Sequence, residues 1–337
     1  MQIATRSVSQ KNITGKQNPL IQFIRENLGI IIGLFVLCLI LVIYDITRGR
    51  TVFLTTNNIM NVLRQVSTNL IIACGMTMVI ILGGIDLSVG SIVGLSGCVT
   101  AMLIAYNHWP IAAAVCMGIF MGVLSGAFNG FVISKTTIPP FIVTLAMMNI
   151  ARGACYVYTN AQPIRVMSDE FNFIGSGYIA DVIPIPVLYL IAVVAISSFI
   201  MNRTRLGRHI YAVGGNPTAA RFSGIKNGRV LFFAFLFSGI MSAISGIVLA
   251  SRMFSGQPTA GQAFEMDAIA AVVLGGTSMA GGVGKIGGTV IGALIIGVLN
   301  NGLNLLNINS FWQFIVKGVV ILIAVYVDFL KKQSRKI

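Results

Sequence analysis

Residues 28–44 read LGIIIGLFVLCLILVIY, seventeen positions without one charged side chain. A helix crosses the hydrocarbon core of a bilayer with about 20 mainly apolar residues. The run is too long for a barrel strand of about ten residues. A helix also satisfies its own backbone hydrogen bonds where no water is present. Nine more apolar segments follow, at 59–82, 88–106, 110–133, 139–158, 184–201, 230–250, 268–280, 286–305 and 311–330. The short 268–280 segment is rich in Gly and Ala, and its reading leaves open a full span or a re-entrant piece buried in protein. The expected fold class is all-α, a polytopic membrane bundle of about ten transmembrane helices.

Composition agrees. Of 337 residues, 56% are hydrophobic and 9% are charged, and the mean hydropathy is +0.88. Soluble domains carry about 25% charged residues, so lipid must face most of this exterior. The expected organisation is a polar tail at 1–27, a transmembrane domain at 28–330 and a short tail at 331–337. The first 27 residues are polar and no small-residue cleavage site follows the first apolar run, so that run is expected to be a retained span.

Basic residues set an orientation. Ten spans place both termini on one side, and with the termini in the cytoplasm sixteen Lys and Arg lie inside. These are Arg6, Lys11, Lys16 and Arg25; Lys135 and Lys285; Arg203, Arg205, Arg208, Arg221, Lys226 and Arg229; and Lys331, Lys332, Arg335 and Lys336. Arg48, Arg50, Arg165 and Arg252 lie outside. This asymmetry is a positive-inside signature. It accounts for the net charge of +14 by dispersed topological markers rather than a nucleic-acid patch. Asp45, Asp169, Glu170, Asp181, Glu265 and Asp267 fall on the outer side. The five cysteines sit inside apolar spans without CxxC spacing and read as small buried hydrophobes.

Glycine patterns suggest close packing. Gly118, Gly122, Gly126 and Gly130 recur every four residues, as do Gly284, Gly288 and Gly292, and such ladders let helix backbones approach. An internal echo pairs Gly83-Gly84 and Gly90-Ser-Ile-Val-Gly94 with Gly281-Gly282 and Gly288-Thr-Val-Ile-Gly292 at the same spacing. Internal repeats are frequent in transporters.

Two long connections stand out, at 159–183 and 202–229. In the second, Asn216 is a fit N-cap, Pro217 suits the first helical position, Ala219, Ala220 and Arg221 favour helix, and Gly224 fits the position after the end. A two-turn surface helix follows, with Gly214-Gly215 as a bend before it. It reads as either a capped connector or a docking helix. Polar residues within spans are functional candidates by default. Asn300, Asn304 and Asn307 share one helical face, and with Asn149 they either join helices or line a polar path. Asp86, Arg152 and Lys317 are ionisable groups in or near spans; Asp86 can cap the third span, and Arg152 and Lys317 can snorkel or pair. No chain of buried carboxylates, zinc signature or catalytic constellation is present, and Gly282-Val-Gly-Lys285 lacks the remainder of a phosphate loop. No catalytic residue, metal or cofactor is expected on this chain.

Several motifs resemble one family. DAIAAVVLGGTSMAGG at 267–282, NNGLNLL at 300–306, GIDLSVG at 84–90, GGN at 214–216 with Ala219-Ala220 and Ser223-Gly-Ile225, and QPTAG at 257–261 resemble the permease subunit of ribose-type ABC sugar importers. The likeness runs from about residue 57 to 330. It implies the ABC importer permease fold in the cell membrane, and a translocation path built with a second permease subunit, as homodimer or heterodimer. It also implies a cytoplasmic ATP-binding subunit with two fused halves and an extracytoplasmic sugar-binding protein. The loop at 202–229 would then be the coupling element, through Gly214, Gly215, Asn216, Pro217, Ala219, Ala220, Arg221 and Gly224. Substrate-path candidates are Asp86, Asn149, Arg152, Asn300 and Asn304. The cargo class is ribose or a related pentose or hexose. The competing readings are an ion-coupled secondary carrier and a membrane enzyme; few intramembrane acids and a structured inner loop count against the first, and the lack of a catalytic constellation against the second.

Overall fold

The computed structural model describes residues 19–49, 51–180 and 182–333. The tail cations Arg6, Lys11, Lys16, Arg335 and Lys336, together with Arg50 and Asp181, lie outside the described residues. The helices are α1 (Pro19–Thr47), α2 (Thr56–Ile81), α3 (Val89–Ala105), α4 (Ile111–Lys135), α5 (Pro140–Thr159), α6 (Asp169–Ser176), α7 (Ile185–Arg203), α8 (Arg205–Gly215), α9 (Pro217–Phe222), α10 (Asn227–Arg252), α11 (Phe264–Leu274), α12 (Ile286–Leu305) and α13 (Ser310–Gln333). Four two-residue strands, β1 (Ile164–Arg165), β2 (Tyr178–Ile179), β3 (Ile183–Pro184) and β4 (Ser255–Gly256), form two antiparallel pairs, β1 with β4 and β2 with β3. The first pair ties the 159–183 connection to the chain leaving α10.

Among the described residues, seven helices are long and apolar enough to cross a membrane: α2, α4, α5, α7, α10, α12 and the Asn27–Thr47 part of α1. Two shorter apolar helices, Val89–Ala105 and Phe311–Ile323, cover two more of the ten segments. The segment at 268–280 behaves differently. Its helix, α11, has 11 residues, about 16 Å of rise against a hydrocarbon core of about 30 Å. The chain then continues without helix to α12, through Gly276, Gly281 and Gly282 at positive φ.

α2 is the centre of the bundle. Every residue from Val66 to Ile81 is buried, so this part of the helix has no lipid face. α10, α7, α11 and α12 surround it. The glycine ladder of α4 meets α10 directly: Gly126 sits against Phe235 O, and a Cβ on Gly130 would lie 2.9 Å from Phe232 Cα. Gly288 and Gly292 of α12 lie against the carbonyls of Gly275 and Ala271 on α11. Gly284 precedes α12 and abuts Thr277 instead. Large apolar side chains cover the outside, including Phe35, Leu124, Phe131, Ile191 and Leu322.

Three sequence expectations change. Cys74, Cys98 and Cys155 are buried, but Cys116 is exposed and Cys38 is half-buried; a thiol is apolar enough to face lipid. Gly214 and Gly215 are not a bend, because they close α8. Asp267 is not an outer-loop acid: it lies in the first turn of α11 and is 3% exposed, because a lysine on α13 neutralises it.

Candidate functional site

The surface element at 202–229 is a helical hairpin. Thr204 caps α8 by accepting from Gly207 N. Asn216, with extended φ of −155° and ψ of 99°, separates the two helices. Its Oδ1 accepts from Ala219 N at 2.9 Å, which satisfies one of the free first-turn donors. Pro217 occupies the first turn of α9. Gly224 has φ of +85°, and Ile225 N returns to Ala220 O at 3.0 Å, so the helix ends as its sequence indicates. Asn227 Nδ2 donates to Pro217 O at 2.8 Å and fixes the hairpin to α10. Asn216, Pro217, Ala219 and Arg221 are exposed, whereas Ala220 is 4% exposed and packs inward. Phe222 is 87% exposed at the end of α9.

Below the hairpin, three backbone segments converge on glycines. A Cβ on Gly214 would overlap the Ile81 carbonyl at the end of α2, and one on Gly282 would lie 2.8 Å from Gly215 Cα. Gly282 N donates to Ile81 O at 2.8 Å. A Cβ on Gly281 would lie 2.7 Å from Gly214 O. Tyr211 of α8 donates its hydroxyl to Gly284 O at 2.8 Å, and burial pushes its phenol above the usual range, which keeps the donor protonated. The surface hairpin therefore bears directly on the end of the central helix and on the non-helical link between α11 and α12. The two glycine pairs of the internal echo meet here, since Gly281 also approaches Gly83 N.

Inside the bundle, three polar clusters hold the irregular backbone. The first surrounds Asp267. Lys317 Nζ lies 2.9 Å from both carboxylate oxygens, and the amides of Asn69 and Asn300 donate to Oδ2 at 3.4 Å each. α2, α11, α12 and α13 thus share one charge pair. The second surrounds Asp86, which has no exposed surface. Its carboxylate accepts from Ser88 N at 3.0 Å, Ser88 Oγ at 2.6 Å and Ser238 Oγ at 2.8 Å, and Asn129 Nδ2 reaches Ser88 Oγ at 3.0 Å. The start of α3 is tied in this way to α4 and α10. The third is Arg152 on α5, whose guanidinium donates to Pro258 O at 2.5 Å, Ala260 O at 2.8 Å and Gly90 O at 3.4 Å. Residues 257–261 run without helix; backbone N–H groups reach the carbonyls of Gln257, Thr259 and Gly261, and one charged fork supplies donors to those of Pro258 and Ala260. Arg152 neither snorkels nor pairs with an acid in this arrangement.

The asparagines separate. Asn300 is 3% exposed and bound to Asp267. Asn304 is exposed and accepts from Gln313 Nε2 at 2.8 Å. Asn149 is exposed and donates only to Leu145 O, one turn back on its own helix. The shared helical face of 300 and 304 is therefore half enclosed. Sequence reasoning counts Asn301 among the amides of its span and Asp267 among the outer acids without giving either a partner, and it does not single out Asn69 or Asn58, which forms a reciprocal amide pair with Asn301 at 3.1 and 2.8 Å. A signal was available for each, because an amide or acid inside an apolar run needs a partner. Phe222 was also passed over, although an aromatic end to a capped surface helix is a visible anchor.

A bundle of spanning helices with unwound, polar-clamped segments and a surface hairpin on the central helix defines a multi-pass membrane permease. The chain belongs to the permease family described as "Branched-chain amino acid transport system / permease component", which matches residues 58–325. It is 47% identical to a ribose import permease protein of Bacillus subtilis over 307 residues, 90% of this chain and 93% of the relative. It is 41% identical to a D-allose transport system permease protein of Escherichia coli, covering 88% and 90%, and 34% identical to a xylose transport system permease protein of Haemophilus influenzae, covering 91% and 98%. No solved structure matches the chain.

Proposed function

We propose that this chain is the transmembrane subunit of an ATP-driven ABC importer, forming the path for a monosaccharide, ribose or a related pentose or hexose. The observation that carries the reading is identity of 45–47% to ribose import permeases of three bacteria over 83–90% of the chain. A cytoplasmic ATP-binding subunit and an extracytoplasmic sugar-binding protein complete the machine, and a second permease copy closes the path. Both termini and the α8–α9 hairpin face the cytoplasm, in line with the distribution of basic residues.

The hairpin is the coupling element. α9 docks on the ATP-binding subunit through its exposed face and Phe222, with Asn216, Pro217 and Gly224 shaping the helix. Ala220 seats it on the permease, and Gly214 and Gly215 pass its movement to α2 and the α11–α12 link. Bistable packing of this kind amplifies small shifts into discrete rearrangements.

Asn149 and Asn304 line the sugar path, because their amides are exposed and can replace part of a sugar's hydration. Asp86, Arg152 and Asn300 act behind the path as positioning residues, since each is committed to partners within the bundle. The test is uptake of a labelled ribose, allose and xylose panel into vesicles holding the complete complex. Uptake of ribose ahead of the others supports the reading, and uptake of none of the three with an intact complex refutes it.

A further inference from the structure

The C-terminal end of α4 and the N-terminal end of α10 border an open pocket of about 960 Å³ beside the α8–α9 hairpin. Its lining includes four cations, Lys135, Arg221, Lys226 and Arg229, and three large aromatic side chains, Phe131, Phe232 and Phe233. All four cations are exposed. The stretches 130–140 and 202–230 contain no Asp or Glu. Nothing described in the protein neutralises this cluster. Phe131 is 58% and Phe233 49% exposed, and Phe232 meets Phe233 edge-on at 5.7 Å. The two helices meet closely at this end, as a Cβ on Gly228 would lie 3.0 Å from Ser134 O.

An occupant must offer negative charge to the cations and hydrocarbon to the phenylalanines. A soluble protein's acidic patch meets the first demand and not the second, because Phe131 and Phe233 lie on helices that enter the bilayer. An inorganic anion fails in the same way. A phospholipid with an anionic headgroup meets both, and basic pockets between transmembrane helices at the cytoplasmic interface are suited to such headgroups. We propose that this pocket binds an anionic phospholipid, with its phosphate among Lys135, Lys226 and Arg229 and its acyl chains along Phe131 and Phe233. The proposal rests on α4 and α10 being spans, and not on the identity of the cargo. A lipid held there joins α4 to the loop between α9 and α10.

The full-length protein in detergent is titrated with phosphatidylglycerol, with phosphatidylcholine of the same acyl chains, and with glycerol 3-phosphate. Bound lipid is counted by native mass spectrometry and stability is read by thermal melting. Phosphatidylglycerol is expected to bind saturably and raise the melting temperature, while the other two do neither. K135Q/R229Q should weaken phosphatidylglycerol binding about twenty-five-fold, since each basic residue at an anionic surface contributes a factor of about five. The charge-retaining K135R/R229K should bind as the native protein does. Equal binding of the two lipids, binding of glycerol 3-phosphate, or unaltered binding by K135Q/R229Q overturns the proposal. So does K135R/R229K losing affinity as K135Q/R229Q does, which would mark a structural role. Retained lipid with lost association of the ATP-binding subunit would make the pocket a protein interface instead.

Discussion

Lys317→Met removes the cation that meets Asp267 and leaves a carboxylate that is 4% exposed. What remains is two amide donors, Asn69 and Asn300, each at a long 3.4 Å. Breaking a buried pair from one side costs about 3–5 kcal/mol, because the abandoned charge stays desolvated. Asp267→Asn should cost less, since the Lys317 side chain is 16% exposed and can relax outward. The double variant D267N/K317M leaves no charge behind, so its cost should fall short of the sum of the single costs by about 1–3 kcal/mol. The assay is unfolding free energy from denaturant titration in mixed micelles, on all four proteins under one condition. Additive costs would refute the argument, because they would mean that the pair does not hold α11 to α13.

Four further outcomes follow from the geometry. Asn149→Leu should lower sugar uptake about tenfold, which is about 1.4 kcal/mol of barrier, with unchanged melting; Asn300→Leu should lower melting first, and the reverse pattern would exchange their roles. Phe222→Ala should reduce sugar-stimulated ATP hydrolysis while the permease melts as before, whereas Ala220→Trp should disturb both, as Ala220 is 4% exposed; normal stimulation in Phe222→Ala would remove it as an anchor. Gly214→Val should uncouple ATP hydrolysis from transport, because any Cβ there overlaps the Ile81 carbonyl; coupled transport at native rates would show that the glycine junction is not the relay. Single cysteines at Ser168 and Thr218, in a background without native cysteine, should label from outside and inside respectively, and labelling from the same side would contradict the orientation.

The spans were legible because lipid imposes a crude demand, length and apolarity, that runs such as 28–44 answer openly. α9 was legible for a different reason: its cap, its Pro217 and its Gly224 act locally, so six residues carry their own instructions. α8 was missed because Gly207, Gly214 and Gly215 lower helix propensity, and only at Gly214 does contact with Ile81 and Gly282 leave no room for a side chain. The segment at α11 was visible as an ambiguity, and the structure shows an 11-residue helix packed against Gly288 and Gly292. The roles of Asp267 and Arg152 were hidden. One pairs with a lysine 50 positions away; the other binds carbonyls, which leave no mark in a sequence.

Reconstituted transport bears most directly on the central claim. Purified chain is placed in vesicles with the ATP-binding subunit and the sugar-binding protein, and labelled sugar entry is followed with each component omitted in turn. The account predicts ATP-dependent uptake that stops when any one component is left out and is indifferent to dissipation of ion gradients. Uptake by this chain alone, driven by an ion gradient, would contradict it.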